Sequence, residues 1–411
     1  MTLHLFHDTI SDMIFPTDVL TKRERVERTL NLQPVDRVVI HEQLSYNPGV
    51  ISLYTGKPIT GFHYTYEDIC AVIGLTLDAC FPPVTPLGTS RITDPDGFVI
   101  QQDNWHSVIV RRPFHDVAGA REFLLRKTDE MRQAGRRGEY GYPPGIYPSV
   151  VAGGTVFDPE QEREDFRRYM QGLQKLVGDT VIIDYSIQTG FCDCWSRLGL
   201  DTFIYLYDAH PQAVADYVQT YTDGEVRRLH AIADPGLSPV VLIAEDFASK
   251  QGSIFSPAFL HEMLFPHVRR ITAAWHSHGL KVLYHSDGNW KRVVPDLVDC
   301  GVDGFYCLEP SLGMDIVELR KTWPRHVWAG GVDGVDLMER GSPEQVRREV
   351  HRIIRETDAL STGGIFIDTS SEINPLIRPE NFRAMVDAVG ALANPDFNLP
   401  EGDEGVEPAV L

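Results

Sequence analysis

The stretch His285-Ser286-Asp287-Gly288-Asn289 carries the densest chemistry in the chain. His285 and Asp287 stand two residues apart at the end of the apolar run 281–286. Residues two apart on a strand share a face. An imidazole and a carboxylate on one face can hold a divalent metal or work as a general acid–base pair. Gly288 permits the sharp turn out of the strand. The alternative is a histidine that its neighbouring carboxylate orients for structure alone. Other apolar runs also close on polar residues: His41 and Glu42, Asp184, Glu245 and Asp246, Cys307 and Glu309, Asp333, then Asp368, Thr369, Ser371 and Glu372. One such carboxylate is commonly a helix N-cap. Many of them on one rim would repel each other unless a proton or a cation compensates. His285, Asp287, Glu245 and Asp246 are therefore the candidate catalytic residues. His41, Glu42, Glu309, Asp333, Ser371 and Glu372 are the candidate substrate contacts, and His285 and Asp287 the candidate metal ligands.

Other motifs carry less. Cys192-Asp193-Cys194 lacks the matching second pair of a zinc site and reads as the opening of a helix. Cys307 reads as a packed thiol rather than a nucleophile. His276 and His278 fall near a helix end, where solvated imidazoles suit the dipole. The run GGVDGVD at 330–336 has neither P-loop nor EF-hand spacing.

These residues need a frame that brings strand ends together. Apolar, β-branched runs occur at 35–42, 74–81, 180–185, 239–246, 281–286, 303–308, 326–333 and 364–369. Amphipathic helices alternate with the later runs. One starts at Ser256-Pro257 and runs towards Gly279, with Pro266 expected to kink it. Another starts at Ser342 with a capping-box pattern and stripes Val346, Val350, Ile353 and Ile354 on one face. About eight strands alternating with helices predict an α/β fold, a closed (β/α)8 TIM barrel. The rival is an open doubly wound sheet, but no Gly-rich dinucleotide fingerprint follows the early strands. Residues 91–114 carry a DPDG turn and two short β-branched runs, and predict a β-hairpin outside the barrel. The expected organisation is an irregular N-terminal arm over 1–20, the barrel over 21–393 and a disordered acidic tail over 394–411.

The chain has 411 residues, 43% hydrophobic and 23% charged, with a net charge of −20. An acidic surface argues against nucleic-acid and anionic-membrane partners. The six cysteines are sparse and set in apolar runs, which suits reduced thiols. The N-terminus lacks a basic start and a long apolar run, and no apolar stretch reaches the length of a membrane span. A cytoplasmic protein is expected.

Five segments together resemble the uroporphyrinogen decarboxylase superfamily. They are LTKRERVERTLNLQPVDRVVI, SPAFLHEMLFPHVRRITAAWHSHGLKVLYHSDGN, VVPDLVDCGVDGFYCLEP, GGVDGVDLMERGSPEQVRREV and GGIFIDTSSEINPLIRPENFRAM. They keep the family order across most of 21–390, and the family fold is itself a (β/α)8 barrel. True decarboxylases of that family hold substrate carboxylates with an arginine-rich MRQAGRY segment after the first strand. Here that strand continues as HEQLSYNPG, and the MRQAGRR string at 131–137 falls far too late, in a helix end. The chain is more similar to the branch of corrinoid-dependent methyltransferases, in which His-x-Cys and a distant cysteine bind zinc. Asp287 stands at that motif's cysteine and Ser371 at the distant one, so the resemblance implies a harder ligand set.

The resemblance implies a methyltransferase or demethylase that acts on a small methylated substrate. Its expected cofactors are zinc or another divalent metal, and a corrinoid (methylcobalamin) on a carrier protein. A second copy of the chain, as a homodimer, is a further expected partner. A decarboxylase of some other acid and a non-catalytic binding barrel are the alternatives. A polyacid needs several fixed cations, and the sequence has no arginine between Arg37 and Arg91. The purified protein should therefore convert no measurable uroporphyrinogen to coproporphyrinogen in an anaerobic product assay, and robust turnover would refute this reading.

Overall fold

The apolar runs become short strands because β-branched and aromatic residues pack well on a pleated surface buried on both faces. The computed structural model describes residues 15–137, 158–394 and 397. In chain order the strands are β1 (Val39–Glu42), β2 (Ala79–Cys80), β3 (Ser90–Thr93), β4 (Val99–Gln102), β5 (Ser107–Arg111), β6 (Val181–Ile182), β7 (Asp184–Ile187), β8 (Val240–Ala244), β9 (Ala248–Ser249), β10 (Gly252–Ser253), β11 (Lys281–His285), β12 (Gly304–Tyr306), β13 (Val327–Val332) and β14 (Ile365–Thr369). The main sheet runs β6-β2-β1-β14-β13-β12-β11-β8-β7. All its pairings are parallel.

The two end strands of that order are consecutive in the chain and separated only by Ile183. β6 pairs with β2 on one side, and β7 pairs with β8 on the other. One segment thus joins both edges, and the eight-stranded (β/α)8 barrel closes. Closure leaves no row of unpaired backbone groups.

Alternation along the strands sorts the core into two shells. Val39, Ala79, Val181, Ile183, Val240, Leu242, Leu283, Val327, Ala329 and Phe366 pack together in one cluster. Ile40, Ile182, Val241, Ile243, Val282 and Ile367, one residue out of step with them, join the larger cluster with the helices. The first group fills the barrel and the second faces outward.

The helices largely follow their caps. Ser256 caps the helix Pro257–Met263, and a second helix runs Phe265–His276. The break at Leu264 precedes Pro266, whose ring cannot continue the hydrogen-bond ladder. Ser342 and Gln345 form the expected capping box, and Val346, Val350, Ile353 and Ile354 are the buried stripe.

Two expectations change. Of the strand expected at 74–81, only Ala79–Cys80 pairs as a strand. Gly74, Leu75 and Thr76 finish the helix Tyr66–Thr76, which a Thr65–Asp68 capping box starts. A short apolar run does not distinguish a helix end from a strand. The external hairpin is a three-stranded antiparallel sheet in the order β3-β4-β5, because Ser90–Thr93 adds a strand before the DPDG turn. Residues 1–14 of the expected arm and nearly all of the expected tail lie outside the described residues. Phe397 of that tail is buried, with the Arg28 guanidinium 5.6 Å from its ring. Among the described residues, no helix is long and apolar enough to cross a membrane.

A buried ion network ties the strand starts together. Arg25 bonds both oxygens of Asp36 at 2.7 Å and Asp78 at 2.8 Å. Arg37 bonds both oxygens of Asp78 at 2.6 and 2.9 Å, and its Nε bonds Asp18 at 2.7 Å. The Ile40 N–H donates to Asp78 Oδ2 at 2.9 Å. Burial would raise the Asp78 carboxyl, but Arg37 and Arg25 prevail and hold it down at about 2. A depressed carboxylate stabilises the fold above its unfolded pKa, and that contribution disappears as pH falls through the folded value. Asp78→Ala should strand buried guanidinium groups and cost on the order of 3–5 kcal/mol. Urea unfolding at pH 7 checks it, and an unchanged midpoint would count against the network.

Candidate active site at the barrel mouth

The inward face of each strand continues past its last residue into the loops. Leu242 and Ala244 lead to Asp246, and Leu283 leads to His285 and Asp287. Leu242, Ala244, Asp246, His285 and Asp287 line a cavity of about 680 Å³ at the C-terminal ends of the strands, where barrels of this kind carry their sites. Tyr46, Phe81, Trp105, Tyr221 and Tyr306 supply aromatic wall, and Glu309, Ser371 and Glu372 join the rim.

Three groups converge within it. Ligand atoms of His285, Asp287 and Cys307 all lie within 4.8 Å of one another. His285 Nε2 is 3.8 Å from Asp287 Oδ1 and 3.5 Å from Asp246 Oδ1. Cys307 Sγ is 3.5 Å from Asp287 Oδ1. Ligands at 2.0–2.3 Å from a tetrahedral ion stand roughly 3.3–3.8 Å apart, so these separations fit a shared cation. The Asp287 N–H donates to Asp246 Oδ1 at 2.9 Å, which couples the two strand ends. Gly288 turns the chain at φ +84°, where a Cβ would meet the Ser249 carbonyl oxygen at 2.6 Å. Its N–H donates to Glu309 Oε1 at 2.8 Å.

Cys307 arrives by a backbone irregularity. Strict alternation would send it outward, because Tyr306 already faces in. It adopts φ +64°, which non-glycine residues rarely do. Tyr306 and Cys307 consequently both join the inner cluster and the cavity wall. The Cys307 thiol donates to the Ser370 carbonyl at 3.1 Å. Burial, then Asp287 and Glu309, raises its pKa well above the ordinary thiol range. A cation would have to displace that proton to gain a thiolate ligand.

The rim is short of compensating charge. Burial raises Asp246, with His285 opposing, and burial followed by Asp287 raises Glu372. Burial raises Glu309 as well, against the Gly288 hydrogen bond. Lys250, between β9 and β10, lies on the same wall.

Of the ten candidates from the sequence, Asp246, His285, Asp287, Glu309, Ser371 and Glu372 line the cavity. Glu245, His41, Glu42 and Asp333 do not, contrary to the convergence expected of strand ends. Glu245 falls in the outward register. It accepts from the Cys192 N–H at 2.6 Å and the Thr189 hydroxyl at 2.6 Å, anchoring the start of helix Phe191–Leu198. Burial lifts its carboxyl to about 7. Glu42, also outward, accepts from Thr369 N at 2.8 Å and Thr369 Oγ1 at 3.0 Å. His41 points inward but lies beneath the cavity, hydrogen-bonded to Asp368 and edge-on to Phe81 and Tyr306. Burial holds it down at about 3, so it is neutral. Asp333 caps the following helix through Val335 N at 3.0 Å and Asp336 N at 2.7 Å.

Sequence reasoning missed Cys307 as a site member, and Tyr306, Lys250, Trp105 and His106 altogether. Tyr306 read as strand core. Trp105 and His106 sit between β4 and β5, and nothing local reveals that this loop reaches the barrel mouth.

Residues 196–392 match the sequence model of the uroporphyrinogen decarboxylase (URO-D) family. No curated protein sequence matches the chain. Among solved structures, the chain is similar to a methyltransferase from Methanosarcina mazei, with a TM-score of 0.60 and 16% identity over 90% of this chain and 99% of that one. At that identity the similarity speaks for the fold. A sugar phosphate isomerase/epimerase from Parabacteroides distasonis superposes with a TM-score of 0.29 and 11% identity over 66% of this chain and 90% of that one, too loosely to bear on function.

The ligand geometry has a direct test. Asp287→Cys would place a second sulfur beside His285 and Cys307. It should tighten zinc binding at least about tenfold, since thiolates are strong ligands for this ion. Competition with a chromophoric chelator measures the change, and unaltered zinc affinity would show that the groups do not share an ion.

Proposed function

From the match of residues 196–392 to the uroporphyrinogen decarboxylase family model, we propose that the chain is a member of that superfamily and a metal-assisted, corrinoid-linked methyltransferase or demethylase acting on a small methylated substrate. The observation that carries the reading is the meeting of His285, Asp287 and Cys307 on the wall of a substrate-sized cavity. Similarity to a solved methyltransferase over nearly the whole chain agrees with it.

The donor set suits a borderline divalent ion such as zinc, with one imidazole nitrogen, one carboxylate oxygen and one sulfur. Asp246, 3.5 Å from His285 Nε2, is placed to be a fourth ligand or to orient a substrate. A bound ion would supply positive charge that steadies the heteroatom losing or receiving the methyl group. The chain's own residues do the remaining work. Asp246 fixes the Asp287 backbone, and Glu309 fixes the Gly288 turn. The aromatic walls flank the cluster, while the Asp287 side chain, 64% exposed, faces the open mouth. The corrinoid would come on a carrier protein and meet the substrate at the open mouth.

Decarboxylation of another acid is the weaker reading. Its substrate is an anion, and in the cavity lining Asp246, Asp287, Glu309 and Glu372 outnumber Lys250 and Arg228. A binding barrel without catalysis has no use for such repelling groups.

Elemental analysis of the purified protein should find about one divalent metal per chain, reduced at least tenfold in His285→Ala and in Cys307→Ser. Titration with methylcobalamin should give a saturable spectral change in the wild type. Metal-free protein that is fully active in methyl transfer, or variants that keep their metal, would overturn the reading.

A further inference from the structure

Tyr306 ends β12 on the cavity wall, and only 5% of it is exposed. Three rings hold it. Phe81 meets it edge-on at 5.2 Å, His41 edge-on at 5.4 Å, and His285 lies at 5.4 Å with the planes tilted by 35°. A ring so enclosed has one orientation. Its hydroxyl nevertheless forms no hydrogen bond with any described residue, and it is not sealed from the cavity as the Tyr54 hydroxyl is sealed in the core. Two fully buried tyrosines, by contrast, are paired. Tyr217 donates to Asp193 at 2.6 Å, and Tyr284 to the Glu245 carbonyl at 3.3 Å. The Tyr306 hydroxyl, open to the cavity and without a partner among the described residues, is free to pair with whatever fills that cavity.

We propose that the Tyr306 hydroxyl is the recognition group of the cavity: it donates a hydrogen bond to an oxygen or nitrogen of an uncharged, ring-bearing small molecule and holds that atom beside the His285–Asp287–Cys307 cluster. The identification of that atom as the methyl-bearing one, and the exclusion of a cationic ligand, rest on the function proposed above. A phenol is protonated at neutral pH and can donate. The charge of the ligand follows from the lining, where the four carboxylates Asp246, Asp287, Glu309 and Glu372 outnumber the cations Lys250 and Arg228 and disfavour an anion. A cation would compete with the metal for the same groups. The ring follows from the walls: Phe81, Trp105 and Tyr46 offer flat faces and edges, and Leu87 and Leu242 complete an apolar slot.

Two probes of nearly equal shape isolate the hydrogen bond. Anisole carries an ether oxygen where ethylbenzene carries a methylene. The wild-type protein should bind anisole about tenfold more tightly by calorimetry, the effect of one buried neutral hydrogen bond. Tyr306→Phe keeps the ring and should reduce that preference to less than about twofold, with metal content unchanged. Equal binding of both probes by the wild type, binding of neither, or a preference that survives in Tyr306→Phe would overturn the proposal. Loss of metal in Tyr306→Phe would overturn it too, because the hydroxyl would then act through the ligands. A wild-type protein that proves to hold no metal, yet prefers anisole and loses that preference in Tyr306→Phe, would defeat the proposed function and leave the role of the hydroxyl standing.

Discussion

Ile183 is the point on which the rest of the molecule depends. It joins β6, bonded to β2, with β7, bonded to β8, so a single segment satisfies both edges of the parallel sheet. A sheet closed this way has no freedom of register, because slipping one residue would exchange the inner and outer cores. The inner shell of Val39, Val240, Leu283 and Phe366 and the outer shell of Ile40, Val241, Val282 and Ile367 are thereby fixed together. So is the direction in which each strand delivers its final side chains.

The two ends of the barrel treat charge oppositely. At the strand starts, Asp36 and Asp78 are fully buried, yet each carboxylate meets guanidinium groups in fork geometry. Pairing of this kind offsets desolvation that would otherwise cost several kcal/mol per ion. At the strand ends, Asp246, Asp287, Glu309 and Glu372 share a wall with Lys250, and their mutual repulsion is only partly relieved. The fold is locked where its charges are matched. Where they are unmatched, it is ready for a proton, a cation or a ligand to complete the balance. The same contrast appears with hydrogen bonds, between the satisfied hydroxyl of Tyr217 and the open hydroxyl of Tyr306.

Adjacent residues show how finely the register divides roles. Asp246 faces the cavity, whereas Glu245 secures the backbone at Thr189 and Cys192. His41 points into the barrel towards Asp368, whereas Glu42 braces Thr369 from the other side. Cys307 escapes the rule only because its left-handed backbone turns a residue due to face outward back into the mouth.

The sequence by itself determined the fold class, since runs of β-branched residues alternating with capped amphipathic helices admit few architectures besides a parallel barrel. It also determined that His285 and Asp287 share a face, because two-residue spacing is a local property of any strand. Strand ends could be read locally, but their facing could not, so Glu245 and Asp246 were indistinguishable before the register was known. Only the tertiary structure decided that the loop carrying Trp105 and His106 reaches the mouth, and that Cys307 and Tyr306 stand there together. These depend on contacts between segments far apart in the chain and on one unusual φ angle, and neither leaves a mark in the local pattern of residue types.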